Sequence, residues 1–431
     1  MTGPHLAGDS PPAAAAPTAE RVLVAATIAF LFLAPFASSA GLRTAMLLGA
    51  AIALAVESRR LPQNSARSFP RAVLVAFGAW ALIAILSLAW SEQPAYSRTE
   101  LRSELLYGAV ALVVFFFSAS DAQRWRMRSM ALFGGTVAVL LAQVLQDAAP
   151  FAISRHAMDG GGGPFSTHLV LIAPLLCALV WPRPWGFARG ATALAGAVGI
   201  LLATAWFTGN RMVWVTLIAQ LAVAMLLWQR APVSEAPRKR GLRLLGAIAA
   251  LAMVVAFAGA IVERSEREFC ASASMTSSIE RDLRPRLWRV AWRVFCEAPW
   301  LGHGFGREIR AADFLPETPV GTNHPPVRHA HNVFFDVAIE LGLVGVAAFA
   351  ALLAALAYVY WRFLDDPSTA PWGIIALMLL TGFVVKNLTD DFFYRHNALV
   401  FWALNGMLLG LGRARAQRAA PPGQRLEERS A

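Results

Sequence analysis

Apolar residues along this chain fall into long blocks, separated by short polar stretches rich in arginine. A helix needs about 20 mostly apolar residues to cross a bilayer. Twelve blocks approach or meet that length: 21–38, 42–56, 71–90, 102–119, 129–147, 166–181, 190–207, 211–228, 243–262, 333–361, 371–388 and 396–412. The second and sixth are the shortest fits. Pro35 and Pro174 fall inside blocks, where neighbouring helices can satisfy the freed backbone groups. The pattern predicts an all-α fold, a polytopic membrane protein with about 12 transmembrane helices.

The same pattern divides the chain. Residues 1–20, rich in Ala and Pro, read as a disordered leader, followed by transmembrane helices 1–9 over 21–262. A loop domain covers 263–332, helices 10–12 cover 333–412, and a polar tail covers 413–431. Ala37-Ser38-Ser39-Ala40 imitates a cleavage site, but the block before it has no basic start beyond Arg21, which favours a retained first span. With the N-terminus inside, the inner loops and tail hold twenty Arg or Lys residues against six in the short outer loops. That asymmetry puts both termini in the cytoplasm and the 263–332 loop on the outer face.

Within this loop, Leu283 to Glu297 is expected to form an amphipathic helix, with Pro285 suited to its first turn. At roughly 100° per residue, Arg286, Arg289, Arg293 and Glu297 share a polar face, and Leu287, Trp288, Ala291, Trp292 and Phe295 fill the opposite side. Such a helix lies on the bundle or in the interface plane. Beyond it, Pro299 to Gly306 is turn-rich, and Pro316, Pro319, Pro325 and Pro326 keep the chain irregular until Arg328.

Composition agrees with this reading. The chain has 431 residues, of which 57% are hydrophobic and 15% charged, against about 25% charged in soluble domains. The net charge of +11 would suggest nucleic acid in a soluble protein. Here topology accounts for much of it, and no nucleic-acid partner is expected. Cys177 lies in an apolar block, whereas Cys270 and Cys296 share the outer loop, where an oxidising compartment would permit a disulfide that the spacing does not require.

Four polar groups stand out against the apolar background. Arg211 follows Thr208-Gly209-Asn210 and opens an apolar block. It reads either as an arginine reaching to lipid headgroups or as a phosphate ligand at a helix N-terminus. Arg281, Arg284, Arg286, Arg289 and Arg293 are the second group. Arginine suits bidentate recognition of phosphate, although the chain has only two lysines, Lys239 and Lys386, so the bias is partly compositional. The third is His329 and His331, which would point the same way in an extended chain. A base or hydrogen-bond donor fits them better than zinc, for which no supporting ligand motif is present. The fourth runs from Lys386 to His396, with Asp390 and Asp391, between the last two blocks. No nucleotide-binding loop, paired-carboxylate or nucleophile-elbow motif occurs, so energy would come from an activated substrate or a gradient.

In this order and spacing the motifs resemble the O-antigen ligase/polymerase superfamily of bacterial inner-membrane glycosyltransferases. The resemblance rests on Thr208-Gly209-Asn210-Arg211, Arg284-x-x-x-Trp288, Pro299-x-x-Gly302-x-Gly304-Phe305-Gly306, His329-Ala330-His331-Asn332, Glu340-Leu341-Gly342-Leu343-Val344-Gly345, Thr389-Asp390-Asp391 and Phe401-Trp402. It spans roughly residues 160–412. Position 210 is Asn where Ser is often expected, which leaves the Arg211 assignment intact.

The resemblance implies a GT-C-like, lipid-diphosphate-dependent glycosyltransferase of lipopolysaccharide biosynthesis, working on the periplasmic face without cofactor or metal. The donor would be an undecaprenyl diphosphate-linked glycan and the acceptor the lipid A–core, both within reach of membrane lipids. Arg211 and Arg284 would neutralise the departing diphosphate, with Arg286 or Arg289 assisting. His331 would accept the proton of the attacking hydroxyl, and inversion at the anomeric carbon would follow. His329, Asn210 and Asp390 would orient groups. The histidine pair favours the ligase branch over a polymerase joining repeat units. A transporter or flippase is the alternative from another class, but no internal repeat supports it.

Overall fold

The computed structural model describes residues 18–59, 69–119, 121–147, 162–179, 187–208, 210–230, 283–318, 326–391 and 393–419. The ninth predicted span, 243–262, lies outside the described residues, as do Arg281 and Cys270, so the cysteine pairing has no structural account. The other eleven blocks all meet helix. In chain order these are α1 (Thr18–Leu33), α2 (Ala40–Ser58), α3 (Arg71–Leu86), α4 (Pro94–Ser118, with a π-helical turn at Leu101–Leu106), α5 (Ala122–Asp147), α6 (Gly162–Ile172), α7 (Phe187–Phe207), α8 (Arg211–Arg230), α10 (Val333–Arg362), α11 (Ala370–Asn387) and α12 (Arg395–Ala419). The loop helix, α9, spans Arg284–Glu297. No strand occurs among the described residues.

Six of these segments are long and apolar enough to cross a membrane: α2, α3 with its short extension to Ala89, α4, α8, α10 with its extension to Asp365, and α11. Among the described residues, six of the twelve expected spans are candidates by length and composition. Leu42, Ile52, Leu74, Val75, Leu82 and Ile85 on α2 and α3 are exposed. An apolar rim of this kind suits lipid contact and would be unfavourable against water. By contrast α11 is almost wholly buried, packed against α8 and flanked by α10 and α12.

Interhelical polar contacts supplement the apolar packing, as expected where lipid removes the hydrophobic drive. Gln220 on α8 donates from Nε2 to the carbonyls of Val170 (2.9 Å) and Met378 (3.1 Å), tying α8 to α6 and α11. Tyr360 Oη donates to Asn405 Oδ1 at 2.7 Å, joining α10 to α12.

The described part of the 263–332 loop packs on the bundle. On α9, Leu287, Val290, Ala291, Val294 and Phe295 are buried, and the first four pack with Ile309, Phe314, Val327, Ala330 and Ile339. Trp292, expected on that face, is 59% exposed. The buried stripe is centred on Leu287, Ala291 and Val294, and Trp292 lies one residue's rotation outside it.

After α9 the chain enters a gap in α10. Gly342 breaks the helix with φ +63 and ψ −163, and Gly302, in the loop opposite, has φ +67. The two strips exchange backbone hydrogen bonds. His303 N donates to the Ile339 carbonyl and Gly304 N to the Glu340 carbonyl, both at 2.9 Å, while Leu343 N donates to the Pro299 carbonyl at 2.8 Å. A Cβ at Gly342 would stand 2.3 Å from the Trp300 carbonyl carbon, and one at Gly302 2.4 Å from that of Glu340. Both left-handed conformations and both close approaches require glycine.

Gly342→Ala and Gly302→Ala are each expected to destabilise the protein by more than about 2 kcal/mol. Gly49→Ala, whose Cβ would meet nothing within 4 Å, should be neutral or slightly stabilising. Thermal unfolding of the three variants in detergent checks this, and equal melting temperatures for Gly342→Ala and wild type would contradict the interlock.

Candidate active site

Three helix ends meet at Asp390. Lys386, fully buried in the last turn of α11, pairs with Asp390 Oδ2 one turn later, the ordinary i,i+4 reach of a helical side chain. Asn210 Nδ2 donates to the same oxygen at 3.2 Å, and Arg284 Nη2 donates to Oδ1 at 3.2 Å. Arg284 Nε also donates to the Thr389 carbonyl at 2.6 Å. Asn210 Oδ1 accepts the Met212 amide at 2.9 Å and so caps α8, whose first residue is Arg211. One carboxylate thus joins the start of α8, the start of α9 and the end of α11.

Burial alone would raise the Asp390 pKa, but Lys386, then Arg284 and Asn210, outweigh it and hold the carboxyl below its ordinary value. Asp390 carries one negative charge against the two cations it holds. Arg211, beside Asn210, is exposed and makes no hydrogen bond or ion pair among the described residues. The assembly is receptive to an anion.

The histidine motif meets this assembly from the side of α10. Asn332 caps that helix, its Oδ1 accepting the amides of Phe334 (2.9 Å) and Phe335 (3.3 Å), while its Nδ2 donates to the Leu388 carbonyl at 2.7 Å. The chain is not extended here as the i, i+2 reading required, because His331 adopts φ +52. Left-handed backbone costs a non-glycine residue about 1–3 kcal/mol. The two rings still lie together, with centroids 4.2 Å apart and planes at 58°.

Both histidines are held neutral. Burial, then the neighbouring His329, pushes His331 down to about 3, with Arg284 and Arg307 adding to the shift and Asp390 opposing it. Burial, then Arg307, pushes His329 down to about 4 against the pull of Asp391.

Behind the histidines lies a buried acidic cluster. A small cleft of about 30 Å³, enough for a water molecule, is lined by Glu104, Arg307, Asp336, Glu340 and Asp391 together with apolar side chains. Arg307 Nη1 donates to the Asp391 carbonyl at 2.8 Å, and its guanidinium stands 3.9 Å over the Tyr394 ring. Burial and the adjacent Asp336 raise Asp391 to about 7, with Arg307 and His329 pulling the other way. His329, Asp336 and Asp391 offer ligand atoms within 4.8 Å of one another. Arg307, whose Nε lies 3.7 Å from Asp391 Oδ2, brings a positive charge that competes with a metal ion there.

The fold therefore brings Asn210, Arg284, His329, His331 and Asp390 together, with Arg211 adjoining them. Arg286 and Arg289 sit on the exposed side of α9. The former pairs with Glu317 at 2.8 Å, and the latter reaches only the Pro285 carbonyl, at 3.4 Å. Arg307, Asp336, Glu340 and Lys386 are given no role by the sequence, although Lys386 opens the fourth polar group and Glu340 stands in one of the motifs. A signal existed for two of them, since Asp336 and Glu340 stand at i and i+4 inside an apolar helix, where acidic residues rarely lack a role.

A bundle of apolar helices, six of them among the described residues long and apolar enough to cross a membrane, marks a multi-pass membrane protein. Residues 196–350, which contain Arg211, Arg284 and His331, match the model of the O-antigen ligase family. The chain is also 27% identical over 321 residues to an O-antigen ligase of Pseudomonas aeruginosa, covering 71% of this chain and 70% of that protein. The resemblance carried by the motifs is thus shown by both comparisons.

Removing the Asp390 carboxylate breaks the buried ion pair with Lys386. Asp390→Asn is expected to cost about 3–5 kcal/mol of stability, as the loss of one partner of a buried pair does. Adding Lys386→Met should restore much of it. A double-mutant cycle by thermal unfolding checks this, and additive losses would show that the two residues are not coupled.

Proposed function

We propose that this protein is a glycosyltransferase of the O-antigen ligase type. It moves O-antigen polysaccharide from undecaprenyl diphosphate to the lipid A–core oligosaccharide. The observation that carries this reading is the convergence on Asp390 of Asn210, which caps the helix opened by Arg211, and of Arg284, with His331 close enough to feel both Asp390 and Arg284. A diphosphate leaves readily only if its growing charge is neutralised. The guanidinium groups of Arg284, held at Asp390, and of Arg211, exposed at the start of α8, supply that stabilisation, in the place that a divalent cation takes in other diphosphate chemistry.

His331 is the base. The acceptor hydroxyl attacks the anomeric carbon, the bond to the diphosphate oxygen breaks, and the hydroxyl proton passes to His331. Direct displacement inverts the anomeric configuration. Neutral His331 is the form this step requires; burial keeps it neutral but weakens it as a base, and Asp390 opposes that loss. His329, Asn210 and Asp390 orient these groups, and Arg286 and Arg289 on the outer side of α9 meet the more distant parts of the substrates. The reaction takes place on the periplasmic side of the inner membrane, with both termini in the cytoplasm and the 263–332 loop outside.

Purified protein in detergent, given a lipid-diphosphate glycan and lipid A–core, should yield the joined product. Glycan lengthening without the acceptor would indicate a polymerase instead, and no product at all would favour a transporter. His331→Ala should bind donor and lose at least about 100-fold in kcat. Arg284→Lys keeps the charge but loses the fork, and should lose about 10-fold or more in kcat/KM. Wild-type transfer by His331→Ala would remove the base assignment, and wild-type kinetics for Arg284→Lys would remove bidentate recognition.

A further inference from the structure

His331 holds a backbone conformation that its residue type rarely adopts, and no glycine stands near it between Val327 and Val333 to relieve the turn. Two adjacent amides account for how the turn is held. The Ala330 amide donates to Asp336 Oδ1 at 2.9 Å, and the His331 amide donates to His329 Nδ1 at 3.2 Å. On the other side Asn332 is anchored by its cap and by Leu388. Both acceptors are buried, Asp336 at 2% exposure and His329 at 8%. Asp336 lies in the first turn of α10, so the helix itself fixes its position.

The use of each acceptor atom is specific. Nδ1 of His329 receives an amide hydrogen, so the hydrogen of the neutral ring lies on Nε2. Nδ1 is 3.7 Å from Asp336 Oδ2 and 3.8 Å from Asp391 Oδ2, beyond hydrogen-bond reach. Asp336 Oδ2 has no hydrogen-bond partner among the described residues. What the turn draws from these side chains is one acceptor atom each.

We propose that His329 and Asp336 are positioning residues for the transfer reaction: by accepting the His331 and Ala330 amide hydrogens they hold the left-handed turn that sets the His331 ring beside the Arg284–Asp390 pair. The proposal rests on the reading of His331 as the base. It assigns Asp336 a neutral-compatible task, in which the oxygen matters and the charge does not.

That distinction gives the test. Asp336→Asn keeps Oδ1, and its new amide faces the Asp391 carboxyl. Asp336→Ala removes the acceptor. His329→Asn keeps an acceptor at the reach of Nδ1, and His329→Ala does not. The two alanine variants should lose about 100-fold in kcat, the scale of a misplaced catalytic group, with donor KM changed by no more than about 3-fold. The two asparagine variants should stay within about 10-fold of wild type. Asp336→Asn as inactive as Asp336→Ala would overturn the proposal in favour of an acid–base or charge role. Wild-type kcat in Asp336→Ala would overturn it outright. Should the alanine variants fail to fold, the asparagine pair still decides, since loss of activity in folded Asp336→Asn contradicts the acceptor role. Active His331→Ala would instead sink the underlying base assignment, whatever the Asp336 variants do.

Discussion

The break in α10 at Gly342 is the constraint on which the site depends. A helix interrupted inside a membrane bundle exposes amides and carbonyls where water cannot satisfy them. Here the loop leaving α9 fills the gap, and the freed groups pair with it across Pro299–Gly304. The exchange fixes more than local hydrogen bonds. Upstream of the break lies the short segment from Val333 to Leu341, which carries Asp336 and Glu340. Downstream of the loop comes Arg307. A single backbone exchange therefore sets the register between α9, the histidine turn and the acidic cluster. That is why glycines from two distant parts of the chain must each accept a left-handed conformation at one point.

Charge is then arranged in two layers with the histidines between them. Toward the exposed side are Arg211, Arg284 and Lys386, partly offset by Asp390. Toward the interior are Asp336, Glu340, Asp391 and Glu104 around Arg307. In the proposed reaction the negative charge of the diphosphate meets the first layer. A proton accepted by a histidine is favoured by the carboxylates on either side, Asp390 and Asp391, which already act to raise the histidine pKa values against burial. Burial keeps the resting histidines neutral, and the carboxylates lower the cost of charging them.

The sequence made some of this visible and hid the rest for identifiable reasons. Apolar blocks located eleven helices because helix length and hydrophobicity are local properties. The amphipathic loop helix was readable to within one residue of its start, through Pro285 and the spacing of its arginines. The Gly342 break was not, because the apolar pattern runs through it unbroken from Val333 to Tyr360 apart from two acids. Those two acids were the clue, since a lipid-facing helix would not tolerate them. The hub at Asp390 was half visible. Asn210, Arg284 and Asp390 were each singled out, but nothing in a linear chain joins residues 180 and 106 positions apart. The left-handed turn at His331 was hidden as well, because its support comes from a side chain five residues ahead in a helix not yet begun.

The two arginines differ in a way that bears on the proposed reaction. Arg284 is held before any substrate arrives, by the Thr389 carbonyl and Asp390. Arg211 stands exposed at the first turn of α8, where the helix amides also favour an anion. In the proposed reaction Arg284 exchanges its bond to Asp390 for the departing diphosphate. Lys386 makes that role workable. If Arg284 turned from Asp390 toward phosphate without it, a buried carboxylate would be left with only a neutral amide as partner. With Lys386 in place Asp390 stays compensated, and the guanidinium is released to the substrate at little electrostatic cost. Arg211 makes no hydrogen bond or ion pair among the described residues, so in the proposed reaction it can meet the diphosphate on arrival as well as during its departure.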